Sequence, residues 1–254
     1  MAANNKNEST EMALTHGFNE IANFSFLSEA MNDECAGLEF SLDRVKIPSG
    51  GMTAFEVPTG DGETMELEKD IDCVILMSHP ANAYYKEAYK GSSNPPDCGS
   101  FDGVTGSTGA SCKTCPHNQF GSGEGKAKAC KNRRMMYLLR ENELFPLLLS
   151  LPAGSLKSFT KYVQSLLIRG KRPHQVVTKI SLKKAKNSDS LEFSQAVFKC
   201  VRTLEPNEQT NIDAMIEQVR ILANNLVTAP HTPVEDEEDP FVDPETGEII
   251  EPLK

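Results

Sequence analysis

The spacing of apolar residues changes period several times along the chain. Residues 1–35 mix Asn, Glu and Ser with scattered Phe and Met and show no clean period. They read as a flexible lead-in with one short helix near Leu27–Asp33. LEFSLDRVKI and MTAFEV lie on either side of Pro48-Ser49-Gly50-Gly51 and predict a hairpin. The alternation in MELE and the run CVILM extend the strand pattern, with a buried strand over Ile71–Ser78. RMMYLLR and LFPLLLSLP are two further apolar segments joined by Glu141-Asn142-Glu143, which is long enough for a hairpin loop. Pro146 suits a strand start or an edge.

From Ser155 the period becomes helical, with Leu156, Phe159, Val163, Leu166 and Leu167 on one face, Ser155 as the cap and Gly170 as the stop. HQVVTKISLKKAK and LEFSQAVFKCVRTL then predict two long strands around the turn Asn187-Ser188-Asp189-Ser190. Phe193 and Phe198 differ in parity, so one is expected in the core and the other exposed. A second helix is predicted over Asn207–Asn225. Without the cysteine-rich stretch, the order from Ile71 is strand, strand, strand, helix, strand, strand, which is the order of the five-stranded OB barrel. The expected fold is therefore α+β and mainly β: an OB-like barrel with a four-cysteine zinc-binding loop insertion, an extra N-terminal hairpin and a C-terminal helix. The expected organisation is a lead-in at 1–35, a nucleic-acid-binding domain at 36–228 with its insertion at 98–130, and a disordered acidic tail at 229–254.

Charge sharpens this picture. The net charge is −10, yet from Lys90 to Lys186 seventeen Lys and Arg face five acids, whereas from Val234 to Lys254 nine acids face one Lys. A basic body is what a phosphate backbone requires, and the acidic end is a separate element. No apolar run is long enough to span a bilayer and the first residues lack the pattern of a signal peptide, so a cytoplasmic setting is expected, that of a host cell if the chain is phage-encoded.

Seven cysteines are present, and Cys98, Cys112, Cys115 and Cys130 crowd into one glycine-rich stretch. In a reducing compartment this clustering reads as metal binding. Four thiolates suit a closed structural Zn2+ site, which would staple loops that have no core of their own; an iron–sulfur cluster would use the same ligands. His117 is left as a solvated loop residue. Around the last cysteine, Lys126, Lys128, Lys131, Arg133 and Arg134 mix with Phe120 and Tyr137, and Tyr84, Tyr85 and Tyr89 interleave with Lys86 and Lys90. Cations that follow phosphates and rings that stack on any base are what an unpaired strand needs. Lys171, Arg172, Lys183, Lys184 and Lys186 form a second basic stretch near the expected four-to-five loop. The carboxylates are scattered or confined to the tail, the histidines form no motif, and Glu124-Gly125-Lys126 lies in a glycine loop instead of a strand, so no enzyme is expected.

With the cysteine block, the strand order and the tail segment Glu235-Asp236-Glu237-Glu238-Asp239-Pro240-Phe241 in view, the chain resembles bacteriophage single-stranded DNA-binding proteins of the OB-fold class. The resemblance implies a sequence-nonspecific single-stranded DNA-binding protein of phage DNA replication and recombination, able to self-associate. It also implies a structural zinc on Cys98, Cys112, Cys115 and Cys130, and a tail in which Asp239 and Phe241 recruit replication or recombination proteins. The chain departs from that family's pattern after Phe241, where EIIEPLK follows. Two alternatives stay open: an iron–sulfur or zinc-containing nuclease or helicase accessory protein, and a protein-interaction factor whose tail imitates DNA.

Overall fold

The computed structural model describes residues 18, 42–48, 50–59, 64–86, 96–123, 127–186 and 192–228, together with 241–242 and 249–250; side chains are described as far as Arg220. The helix expected at Leu27–Asp33 lies outside the described residues. In chain order the strands are β1 (Arg44–Val45), β2 (Phe55–Pro58), β3 (Met65–Glu68), β4 (Asp70–Tyr84), β5 (Cys98–Ser100), β6 (Cys130–Arg140), β7 (Leu147–Leu151), β8 (Val176–Lys186), β9 (Glu192–Thr203), β10 (Phe241–Val242) and β11 (Ile249–Ile250). The helices are α1 (Ala153–Leu167) and α2 (Pro206–Thr228).

The protein is mainly β. Its principal sheet runs β1-β7-β6-β4-β8-β9 and curls into a half barrel, with β5 added to the far end of β4. Every pairing in it is antiparallel except β1 with β7. β4 organises the sheet: its first residues pair with β8 (Asp70↔Ser181 to Cys73↔Thr178), its last with β5, and nearly its whole length with β6.

An apolar core lies on each face. The inner one collects Ile71, Cys73 and Ile75 of β4, Met136 and Leu138 of β6, and Ile180, Phe198 and the α1 residues Phe159, Tyr162 and Leu166. The outer one sets Val74, Leu76, Tyr137, Leu139 and Leu148 against Ile212, Met215, Ile216 and Val219 of α2, with Phe18 and Leu42. With both faces covered, the middle of the sheet reads as continuous apolar runs instead of alternation. A bulge between Ile75 and Met77 then reverses parity along β4. Beyond it Met77, His79, Ala81 and Ala83 face outward, and Ser78, Pro80, Asn82 and Tyr84 face inward.

Several local expectations need correction. The hairpin expected before and after Gly50-Gly51 is reduced to one bridge, Lys46↔Glu56, because β1 joins β7 and β2 pairs with MELE. Phe55 and Val57 of β2 are thereby buried in the inner core. Ser155 does not cap α1; the cap position is Pro152, without a side-chain hydrogen bond. The fully buried Ser155 Oγ instead accepts the Ala196 N–H of β9 at 2.9 Å, and Gln195 Nε2 donates to the Gly154 carbonyl at 2.9 Å. The start of α1 thus satisfies part of an otherwise open strand edge. Gly170 does follow the helix, at φ +69°. Phe193 and Phe198 are both buried. Within the tail, expected to lack structure, Phe241 pairs with Ile250 and Val242 with Ile249, since apolar pairs flank a Pro- and Gly-containing turn sequence.

Candidate nucleic-acid interface and metal centre

The insertion between β4 and β6 is built on the end of the sheet. Tyr84 is opposite Cys98 of β5 on one side and opposite Cys130 of β6 on the other. The two cysteines therefore flank Tyr84 on one face, about 10 Å apart at Cα by strand spacing. Between them the chain is held by short-range bonds. Asp102 accepts Ser100 Oγ (2.9 Å), Val104 N (2.7 Å) and Thr105 N (2.9 Å). These donors, the Thr105 amide foremost, hold its carboxyl below the usual range. Gly103, at φ +68°, turns over Pro80, where a Cβ would come within 2.8 Å of the proline ring. Gly106 is required by the metal-ligand candidate itself, because a Cβ there would lie 2.7 Å from Cys98 Sγ.

Cys112 and Cys115 enclose a tight turn that continues into the short 3-10 segment Pro116–Asn118. The Cys112 N–H bonds to Val104 O at 2.7 Å, Asn118 Nδ2 donates to Cys112 O at 2.8 Å, and Asn118 N to Cys115 O at 3.1 Å. The return to β6 is cinched by Gly121 N and Gly123 N on Ala127 O and by Ala129 N on Ser122 Oγ. Burial pushes the Cys130 thiol up to about 12; the neighbouring Cys112, Cys115 and Cys98 add to the rise and Lys128 opposes it. Four soft donors thus share one neighbourhood, with Cys112 and Cys130 buried and Cys98 and Cys115 half-buried. Among the described residues, no three His, Cys, Asp or Glu side chains stand in a metal-holding group. In donor chemistry and enclosure the residues suit a thiophilic ion.

Two of the expected cation–aromatic combinations do form. Lys131 Nζ stands 5.9 Å from the Tyr85 ring centroid, and Lys128 Nζ 4.6 Å from that of Phe120, whose ring is exposed. On the outer face Lys131 is opposite Ala83, Arg133 opposite Ala81, and Met135 opposite both His79 and Ser150. Arg133 Nη1 donates to Ser150 Oγ at 3.3 Å. The result is a shallow basic strip, lined by small side chains, beside the part of the sheet that α2 covers. The His79 ring closes its inner end, with Nδ1 2.6 Å from the Phe101 carbonyl and Nε2 3.5 Å from Tyr137 Oη.

Other expected contacts are used elsewhere. Tyr137 is 4% exposed and packs beneath α2, so its ring is core and not a stacking surface. Arg134 points to the inner face, donates to Ser78 Oγ (2.8 Å) and Ser78 O (3.2 Å), and lies 5.6 Å from the Phe159 ring. It lies at the end of the inner core and is half-buried there. Tyr84 stacks on His117, centroids 4.0 Å apart and planes 16° apart, which ties the cysteine turn to the sheet. Lys86 is exposed and its N–H bonds to Asp97.

The β8 part of the second basic stretch is not brought to the strip. Lys184 and Lys186 pair with Glu192 at 2.5 and 3.6 Å, which holds that carboxyl below its ordinary range; Lys183 is exposed on the same strand end. The register puts them beyond Asp70, about 40 Å along β4 from Ala83. Lys171 Nζ donates to Thr203 Oγ1 and the Arg172 N–H to Gln175 Oε1. Tyr89, Lys90, Lys126 and Asp239 lie outside the described residues, and Phe241 is described only as backbone. His79, Ala81, Ala83, Asp102 and Gly106 were not singled out from sequence, and His117 was read there only as a solvated loop residue. Only Asp102, in Ser-Phe-Asp-Gly, carries a local signal, that of a turn.

No family model, curated protein or solved structure matches this chain. Among the described residues no helix is long and apolar enough to cross a membrane.

Proposed function

We propose that this chain binds single-stranded nucleic acid, single-stranded DNA in the first place, along the outer strip of β4 and β6 next to the cysteine insertion. The observation that carries the reading is the convergence of Tyr85 with Lys131, and of Arg133 with the small Ala81 and Ala83, on the outer face of one end of the sheet. A ring beside a cation offers a base a π-face and its phosphate a counterion, without reading sequence. A duplex hides its base faces, so an unpaired strand is the better fit.

The sheet is read as an OB-type barrel with β4, β6, β7, β8 and β9 as strands one to five. The order β7-β6-β4-β8-β9 and the helix between β7 and β8 support this. The insertion then falls in the one-to-two loop, and β2 with the start of α1 fills the seam between the third and fifth strands. The four cysteines are read as ligands of a structural zinc ion, whose chemistry would be to tie β5, the cysteine turn and β6 together. The protein is taken to be a binding protein, not an enzyme, that coats single strands in phage DNA replication or recombination in the cytoplasm, with the acidic tail serving partner proteins.

Fluorescence anisotropy with labelled single- and double-stranded oligonucleotides at several salt concentrations tests the reading. Preference for single strands with steep weakening by salt is the expected result. Absence of binding at low salt, with and without residues 229–254, would overturn it and favour the protein-interaction alternative.

A further inference from the structure

Arg140, Arg202 and Arg220 each face a carboxylate: Glu68 and Glu143 for the first, Glu208 for the second and Glu217 for the third. Arg134, half-buried at the end of the inner core, faces none among the described residues. Burial pulls its pKa below the ordinary value, and no neighbouring charge contributes. The residues around it are Ser78 and Pro80 of β4, Leu151 of β7 and Phe159 of α1, a helix with no acid in its first turn. A charge drawn out of water with no opposite charge beside it costs free energy. The surroundings of Arg134 are short of one anion.

The guanidinium is also fixed in direction. Nε donates to Ser78 Oγ at 2.8 Å, Nη2 donates to the Ser78 carbonyl at 3.2 Å, and the group lies 5.6 Å from the Phe159 ring centroid. These bonds occupy the Nε–Nη2 edge. Nη1 has no partner among the described residues, and with the second hydrogen of Nη2 it forms the fork that matches two oxygens of a phosphate. We propose that Arg134 binds a phosphate group at the end of the inner face, at a site separate from the outer strip. Arg133, its neighbour in sequence, serves the strip, so the two cations work on opposite faces of β6. The phosphate belongs either to a nucleic-acid strand or to a free phosphate compound; its chemistry at the fork is the same. The site does not depend on the single-strand reading.

The test uses the full chain with Arg134→Gln, which can still bond to Ser78 but carries no charge, and Arg134→Lys, which keeps charge without the fork. Thermal unfolding is compared in sodium phosphate and in sodium chloride of equal ionic strength, and binding to labelled oligo(dT) is followed across salt. The expected result is that about 20 mM phosphate raises the wild-type Tm by about 2 °C more than that of Arg134→Gln, which removes the general salting effect of phosphate from the comparison. Arg134→Lys should keep no more than about half of that difference. A salt slope of oligo(dT) binding lower by about 0.7 in Arg134→Gln assigns the phosphate to the strand, whereas an unchanged slope with a lost phosphate response assigns it to a free compound. Equal phosphate responses in wild type and variants, together with equal salt slopes, overturn the proposal. Should Arg134→Gln not fold, Arg134→Lys decides by the same comparison. Wild-type protein that binds no oligonucleotide overturns only the single-strand reading, because the phosphate response is measured without it.

Discussion

Glu208 offers the most quantitative prediction, because its surroundings are both buried and complete. The residue is 2% exposed at the third position of α2, and its carboxylate accepts Arg202 Nη1 (2.7 Å), Arg202 Nη2 (2.8 Å), Glu205 N (2.8 Å) and Phe18 N (3.1 Å). It closes the helix start in the manner of a capping box, joins β9 to α2 and fastens Phe18 over the outer core. The paired guanidinium and the amides hold its carboxyl at about 2, against 4.5 when unperturbed. Such a difference corresponds to at most about 3 kcal/mol of folding free energy. Arg202 is 40% exposed, so solvent screens part of the attraction and about 2 kcal/mol is the better expectation. Because the folded-state value is depressed, this stability is fully present above pH 4.5 and is lost as pH falls from there towards 2. Glu208→Gln keeps the shape but removes the charge and one acceptor. In urea unfolding followed by circular dichroism, the variant should be less stable than wild type by about 2 kcal/mol at pH 7, and the gap should narrow steadily between pH 4.5 and 2.5. A variant within about 0.5 kcal/mol of wild type at pH 7, or a gap that does not change with pH, would refute the reasoning.

Further predictions concern the strip and the core. Ala83→Glu puts a negative charge between Lys131 and Tyr85 without disturbing buried residues, so single-strand affinity should fall by tenfold or more with little change in Tm; equal affinity would move the interface elsewhere. Lys131→Ala should reduce the salt slope of oligonucleotide binding by about 0.7, and combined with Tyr85→Ala should cost less than the sum of the two single losses, as read by anisotropy. Tyr137→Ala should lower stability by about 3–5 kcal/mol in urea unfolding, the range for loss of a large buried ring, with any loss of binding following from unfolding. Tyr162→Phe should cost about 1–3 kcal/mol, because the buried Thr178 hydroxyl loses its 2.6 Å partner.

What sequence determined by itself was mostly local. Strands β4, β6, β7, β8 and β9 and both helices follow from runs and periods within single segments, and so does the crowding of four cysteines with cations and rings in one loop, whereas β5 within that loop does not. These signals are legible because period and turn chemistry act between near neighbours. The tertiary structure decided which side of the sheet each residue serves. One extra residue at the Ile75/Met77 bulge reverses the parity of the rest of β4, sending Tyr84 towards the cysteines and Ala81 and Ala83 to the outer strip. Alternation cannot reveal this when both faces are apolar. Arg134 and Tyr137 illustrate the same point: a cation that looks suited to a nucleic acid is turned to the inner face towards Phe159, and a ring that looks suited to stacking is buried under α2, partners 25 or more residues away in sequence. Lys183, Lys184 and Lys186 were separated from the strip by register alone, because β8 pairs with the first residues of β4 and the insertion grows from its last. Composition sets how many charges a chain carries; only the pairing of distant strands sets which of them stand together.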